Sequence, residues 1–340
     1  MATKTKRLQL QSVGVIGGGA WGTALAQCLC AAGRDVLLWA RDPSVVADIN
    51  ARHENGKRLP GIKLDVRLRA TGALGEAAVA DVLLLAAPAQ HLRASALLLK
   101  PHLRRDTQLV ICAKGIEQGT ELPMSGVAFE VTGSMNLAVL SGPSFAKDVA
   151  LGLPTAVVLA APDMKMASQL AAVIGHRNFR IYASTDVIGV QTGGAVKNVL
   201  AIAAGIVAGR KLGASAQAAL VTRAFHELTE FGRKCGAKPA TLTGLSGLGD
   251  LMLTCNSPQS RNFAFGRHLG EGQSVSQALE AVRGTVEGVY TANVVDRVAR
   301  EGKPVVEMPI AAAVHGILRG ALSVDAAIDE LLSRPQKAES

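Results

Sequence analysis

Three polar clusters interrupt an otherwise apolar chain, and each carries groups that could do chemistry: Ala113-Lys114-Gly115-Ile116-Glu117, Gly193-Gly194-Ala195-Val196-Lys197-Asn198, and Gly244-Leu245-Ser246-Gly247-Leu248-Gly249-Asp250-Leu251. The third is followed by Thr254 and by Ser260-Arg261-Asn262. An arginine fork can hold a phosphate through two parallel hydrogen bonds, and Ser260 and Asn262 can add more, so this stretch suits a polar, phosphorylated ligand clasped by glycine-rich loops. Lys197 opens an apolar run that reads as a buried helix. Its unpaired ammonium would cost several kcal/mol there unless it met a partner or a ligand. Two plainer readings stand beside these: a lysine snorkelling to the surface at a helix end, and a structural ion pair between Asp250 and Arg261.

A fourth segment is the most regular. Val13-Gly14-Val15-Ile16 reads as a strand, runs into Gly17-Gly18-Gly19-Ala20-Trp21-Gly22, and continues as a helix from Thr23. The spacing G-x-G-x-x-G between strand and helix is a dinucleotide-binding turn with a rationale for each glycine. Gly17 permits the tight turn, Gly19 lets backbone approach a pyrophosphate, and Gly22 lets helix and strand lie close. The helix N-terminus offers free N–H groups and a partial positive charge to the phosphates. The rival is a targeting segment, since Lys4, Lys6 and Arg7 precede an uncharged stretch from Val13 to Gly33. Three glycines in a row argue against it, each costing about 1 kcal/mol in a helix interior. A second strand, Val36–Trp39, follows at the right distance. It ends at Arg41-Asp42, where an arginine favours a 2′-phosphate and an acid favours a free ribose diol. Arg41 tilts the expectation toward NADPH, with NADH still usable.

The elements that must position these groups divide the chain of 340 residues into two halves. Apolar runs at Val13–Ile16, Val36–Trp39, Val82–Ala86, Gln108–Cys112, Leu137–Leu140, Thr155–Leu159 and Phe179–Tyr182 alternate with helical patterns, which implies a mainly parallel sheet covered on both faces. Ligands on such sheets gather at the carboxyl ends of the strands. From Gly189 onward the pattern is helical. The expectation is an α/β fold in two domains: a Rossmann-like dinucleotide-binding domain, residues 1–188, then an all-α substrate-binding domain, residues 189–340. Lys197–Gly209 is read as that domain's central helix, too short for a bilayer, and Met1–Leu10 and Ser333–Ser340 as frayed ends. The helical half offers a surface for a homodimer.

Composition narrows the partners. Hydrophobic residues make up 49% of the chain and aromatics 3%, so small aliphatic side chains must fill a large core. A net charge of +9 points to an anionic partner, but the basic residues are scattered and lack interleaved aromatics, which favours a phosphorylated metabolite over nucleic acid. Cys28, Cys30, Cys112, Cys235 and Cys255 form no C-x-x-C pair and read as reduced thiols of a cytoplasmic protein. Neither they nor the histidines suggest a metal.

Taken together the segments resemble the bacterial, NAD(P)-dependent glycerol-3-phosphate dehydrogenase family: GGGAWGTA at Gly17–Ala24, AKGIE at Ala113–Glu117, SGPSFA at Ser141–Ala146, GGAVKN at Gly193–Asn198, GLSGLGDLMLT at Gly244–Thr254, SRN at Ser260–Asn262, VEG at Val286–Gly288 and VEMPI at Val306–Ile310. The resemblance implies reversible reduction of dihydroxyacetone phosphate to sn-glycerol 3-phosphate, a precursor of glycerophospholipids. It implies that Lys197 is the general acid/base and that Lys114 meets substrate and cofactor. Gly142, Ser144, Asp250, Ser260, Arg261 and Asn262 would touch the substrate. Gly17, Gly19, Ala20, Trp21, Gly22, Arg41, Ala146, Arg261, Val286 and Glu287 would line the cofactor. Small departures, Gly18 and Cys112-Ala113, remove no group the chemistry needs. An ammonium suits hydride transfer to a ketone because it can stabilise the developing alkoxide and then protonate it. Acting in reverse it must be neutral, and burial plus the like charge of Lys114 would lower its pKa. Dehydrogenases of the 3-hydroxyacid or 6-phosphogluconate type share the lysine and asparagine of GGAVKN but not GLSGLGD and SRN. A non-catalytic nucleotide sensor would need only the glycine turn and the charge.

Overall fold

The computed structural model describes residues 12–301 and 303–335. The N-terminal stretch expected to fray lies outside these, as do residues 336–340; Ser333, expected in the other frayed end, instead closes the helix Val324–Leu332. The N-terminal half is built on eight strands: β1 Ser12–Ile16, β2 Asp35–Trp39, β3 Arg69–Thr71, β4 Val82–Leu85, β5 Gln108–Ile111, β6 Leu137–Ser141, β7 Thr155–Ala160 and β8 Phe179–Ser184. They form one sheet in the order β3-β2-β1-β4-β5-β6-β7-β8. The first six strands are mutually parallel in the doubly wound order, β7 turns antiparallel to β6, and β8 runs parallel to β7. Each expected strand is present. β3 is additional: a three-residue edge strand, Arg-Ala-Thr, with no apolar run to announce it.

β4 shows why the sheet is covered on both sides. All four of its residues are buried. Leu84 joins the core with Val13, Val15, Leu25 and Leu38, while Leu83 and Leu85 join the opposite one with Leu109, Ile111 and Val127. Because successive side chains point to opposite faces, an unbroken apolar run is what such a strand requires.

A third core fills the helical half around the helix Val187–Gly209. That helix begins ten residues before the apolar run that foretold it, and its 23 residues are long and apolar enough to cross a membrane. Length therefore does not mark it as a core helix, contrary to the sequence expectation; burial does, with 83% of its most apolar window inside the fold. Helices Ala214–Lys234, Asp250–Cys255, Arg261–Gly270 and Glu287–Arg300 surround it. Its crossing with Arg261–Gly270 is close, since a methyl on Gly266 would lie 2.0 Å from the Ile202 carbonyl oxygen. This approach seats Ser260, Arg261 and Asn262 beside the middle of the central helix, where Asn262 bonds Asn198.

Candidate active site

The turn after β1 is shaped by its glycines. Gly17 has φ of +129°, a region that disfavours side chains, and its amide donates to the Trp39 carbonyl at 3.0 Å. A Cβ on Gly22 would sit 1.9 Å from the Gly17 carbonyl oxygen, so only glycine lets the helix Ala20–Ala31 start this near the strand. Among the described residues nothing lies within 4 Å of a Cβ on Gly19, which leaves backbone open to a ligand. The first turn of the helix carries no acid to oppose a phosphate. Ala20 and Trp21 begin it, and the Trp21 indole N–H is buried without an acceptor among the described residues. Arg41 stands exposed just past β2.

The two lysines meet on one carboxylate. Lys114, beyond the end of β5, donates from Nζ to Asp250 Oδ2 at 2.6 Å and to the Gly142 carbonyl at 2.8 Å. Lys197 donates from Nζ to Asp250 Oδ1 at 3.0 Å and to Thr254 Oγ1 at 2.7 Å. Asp250 is 1% exposed and Lys197 7%, so neither the snorkelling lysine nor an Asp250–Arg261 pair describes them. Burial pulls the Lys197 pKa down to about 8 against the attraction of Asp250, with Lys114 adding to the depression. Burial alone would raise the pKa of Asp250, but the two ammonium groups hold it below the usual carboxylate value. Cys112 and Cys255 have thiols pushed up to about 12 by burial, which keeps them protonated and poor nucleophiles.

Around this triad the other expected residues take distinct places. Ser144 Oγ donates to the same Gly142 carbonyl at 3.0 Å, and Ala146 opens the helix Ala146–Ala150. Asn198 Nδ2 donates to the Lys114 carbonyl at 3.1 Å, fixing the backbone of one lysine from the residue beside the other. Asn262 donates to Asn198 Oδ1 at 2.9 Å and accepts from the Gly288 amide at 2.9 Å, so much of its amide orients Asn198. Ser260 Oγ caps the helix Arg261–Gly270 by accepting from the Phe263 amide at 3.2 Å. Arg261 keeps solvent contact; the protein around it lowers its pKa and Glu287 opposes that shift. Val286 is the buried N-cap of the helix Glu287–Arg300. Glu287 reaches across the halves, accepting from the Ala89 amide at 3.0 Å through Oε1 while its buried Oε2 has no hydrogen-bond partner among the described residues. Burial raises its pKa, against the Ala89 amide and Arg261.

Sequence reasoning gave Thr254 and Asn198 no role. Their signal was present: Asp250 and Thr254 are four apart on the helix Asp250–Cys255, which puts both on one face toward Lys197. The link between Ala89 and Glu287 spans 198 residues and had no local signal.

An open glycine turn, a helix N-terminus free of acids and the unpartnered Trp21 N–H and Glu287 Oε2 fit a dinucleotide laid from the β1 turn toward the lysines. Comparison with known proteins gives the family. Residues 12–167 match the family described as NAD-dependent glycerol-3-phosphate dehydrogenase N-terminus, and residues 186–329 its C-terminus. A glycerol-3-phosphate dehydrogenase [NAD(P)+] from a Bradyrhizobium species is 56% identical over 330 residues, covering 97% of this chain and 98% of the relative. One from Parvibaculum lavamentivorans is 52% identical, covering 98% and 99%. The crystal structure of glycerol-3-phosphate dehydrogenase from Coxiella burnetii superposes with a TM-score of 0.89 at 37% identity, covering 95% of this chain and 99% of that one.

Proposed function

The chain belongs to the NAD-dependent glycerol-3-phosphate dehydrogenase family, and we propose that it reversibly reduces dihydroxyacetone phosphate to sn-glycerol 3-phosphate with NAD(P)H, Lys197 serving as general acid and base. The observation that carries this reading is the pair of ammonium groups on opposite oxygens of buried Asp250, at the carboxyl edge of the sheet.

A bound nicotinamide supplies or takes up the hydride. The protein's part is to bind and orient the ketone and to move a proton at its C2 oxygen. Lys197 in its ammonium form stabilises negative charge developing on that oxygen and then donates the proton; Asp250 and Thr254 hold its Nζ in place. With a pKa near 8, Lys197 is mostly charged at neutral pH yet can lose its proton cheaply enough to act as base in the oxidation direction. Lys114 orients the substrate from the other side of Asp250. Arg261, Ser260, Asn262, Gly142 and Ser144 contribute phosphate and hydroxyl contacts. Gly17, Gly19, Ala20, Trp21, Gly22, Ala146, Val286 and Glu287 line the dinucleotide, and Arg41 favours NADPH while NADH remains a substrate. We assign the product to glycerophospholipid synthesis and the enzyme to the cytoplasm, where its five free thiols are at home, and we place a homodimer contact on the helical half.

The test is spectrophotometric consumption of NADPH with dihydroxyacetone phosphate, which also separates this activity from the hydroxyacid dehydrogenase and nucleotide-sensor readings. Replacing Lys197 with alanine should lower kcat by about 100- to 10,000-fold while cofactor affinity stays nearly intact. Near-normal turnover in the variant would overturn the assignment.

A further inference from the structure

We propose that Lys57 is a specificity-determining residue of the cofactor site: its ammonium, held on Asp42, is a second cation beside Arg41 for the 2′-phosphate that separates NADPH from NADH. The proposal rests on the reading of Arg41 above. Arg41 and Asp42 follow β2 directly and make opposite demands, one attracting a 2′-phosphate and the other repelling it. Asp42 does not stand free. Its Oδ1 accepts from the Ser44 amide at 3.0 Å and the Ser44 hydroxyl at 2.7 Å, and its Oδ2 accepts from Lys57 Nζ at 2.5 Å. These contacts hold its pKa well below the carboxylate range, so it remains an anion, and the lysine neutralises it.

Lys57 is brought there by a buried device. Asn55, 0% exposed, donates from Nδ2 to the Gly18 carbonyl at 3.1 Å and to Thr23 Oγ1 at 2.8 Å. Its carbonyl accepts from the Leu59 amide at 2.7 Å, closing a tight turn that carries Lys57 outward. The turn bearing the cation is thus fixed to the glycine turn that would receive the pyrophosphate. Stability does not account for the pair. Both side chains are substantially exposed, and such ion pairs contribute about 0–1 kcal/mol. For the same reason the lysine can leave Asp42 for a phosphate at little cost, whereas with NADH the Asp42 carboxylate can accept from a ribose hydroxyl. One pair then accommodates either cofactor.

The experiment is calorimetric titration of the full-length protein with adenosine 2′,5′-bisphosphate and with AMP, which differ in the 2′-phosphate and carry no nicotinamide. Lys57→Met should weaken the bisphosphate about tenfold or more and leave AMP within about twofold, since a lost bond to a charged group acts only where that charge exists. Asp42→Asn should tighten the bisphosphate. An unchanged melting temperature verifies that each variant is folded. If Lys57→Met weakens both ligands alike, or neither, the proposal is overturned. Should Arg41→Met then lower bisphosphate affinity alone, the reading of Arg41 survives without Lys57. Wild-type protein that fails to distinguish the two ligands overturns both.

Discussion

The protonation of Lys197 is settled by opposed effects, of which three dominate. Desolvation is the largest and favours the neutral amine, Asp250 favours the ammonium, and Lys114 sides with desolvation. Replacing Asp250 with asparagine removes the largest influence that raises the pKa, so the midpoint must move down from about 8. Reduction needs the ammonium, and its rate should fall on the alkaline side with that midpoint. The kcat–pH profile for dihydroxyacetone phosphate reduction should therefore lose its alkaline limb at lower pH in Asp250→Asn than in the wild type. An alkaline limb that stays in place would show that Lys197 is not the titrating acid. The lysines were legible in the sequence because Lys114 follows a strand and Lys197 opens an apolar run, although the helix itself starts ten residues earlier. Their shared carboxylate was not, since Asp250 lies 136 residues from Lys114 and 53 from Lys197, and only the fold brings them together.

The turn proposed to hold the dinucleotide divides its labour between two glycines that look alike in sequence. Gly22 meets protein and Gly19 meets open space. Gly22→Ala forces a methyl into the Gly17 carbonyl and should cost about 1–3 kcal/mol or more, as overpacking does. Gly19→Ala should cost less, about 0.5–1 kcal/mol, because Gly19 is an N-cap in an extended conformation that alanine can adopt, although alanine caps less well than glycine. Its methyl should nonetheless obstruct the pyrophosphate, weakening NADH and NADPH alike. Thermal melts paired with cofactor titrations check this: stability lost chiefly in the first variant, affinity chiefly in the second. A Gly22→Ala protein as stable as the wild type would mean the helix can back away from β1. Legibility varied with how much each element depends on its own residues. β4 announces itself because burial on both faces demands an apolar run, while β3 has three residues, one of them a surface arginine, and exists because β2 offers it an edge. The antiparallel turn of β7 follows from the connection after β6, for which no periodicity codes.

The whole molecule carries a net charge of +9, with the groups proposed to react at the carboxyl edge of the sheet where the helical half closes over them. Both ligands of the proposed reaction are anions. Charge on this scale acts at long range, and salt screens it: the Debye length falls from about 30 Å at 0.01 M to about 8 Å at 0.15 M. The Asp250 contacts to Lys114 and Lys197 act over less than a screening length inside buried surroundings, so salt should hardly touch them. Capture and chemistry should thus separate on an ionic-strength axis. Across that range kcat/KM for dihydroxyacetone phosphate should fall by about tenfold, within the span expected of electrostatic steering, while kcat changes little. Uncharged dihydroxyacetone is the control, and its kcat/KM should stay nearly flat. Equal salt sensitivity for the two ketones would mean that the surplus lysines and arginines are ordinary solvated surface, with phosphate recognition left to contacts at Arg261 and its neighbours.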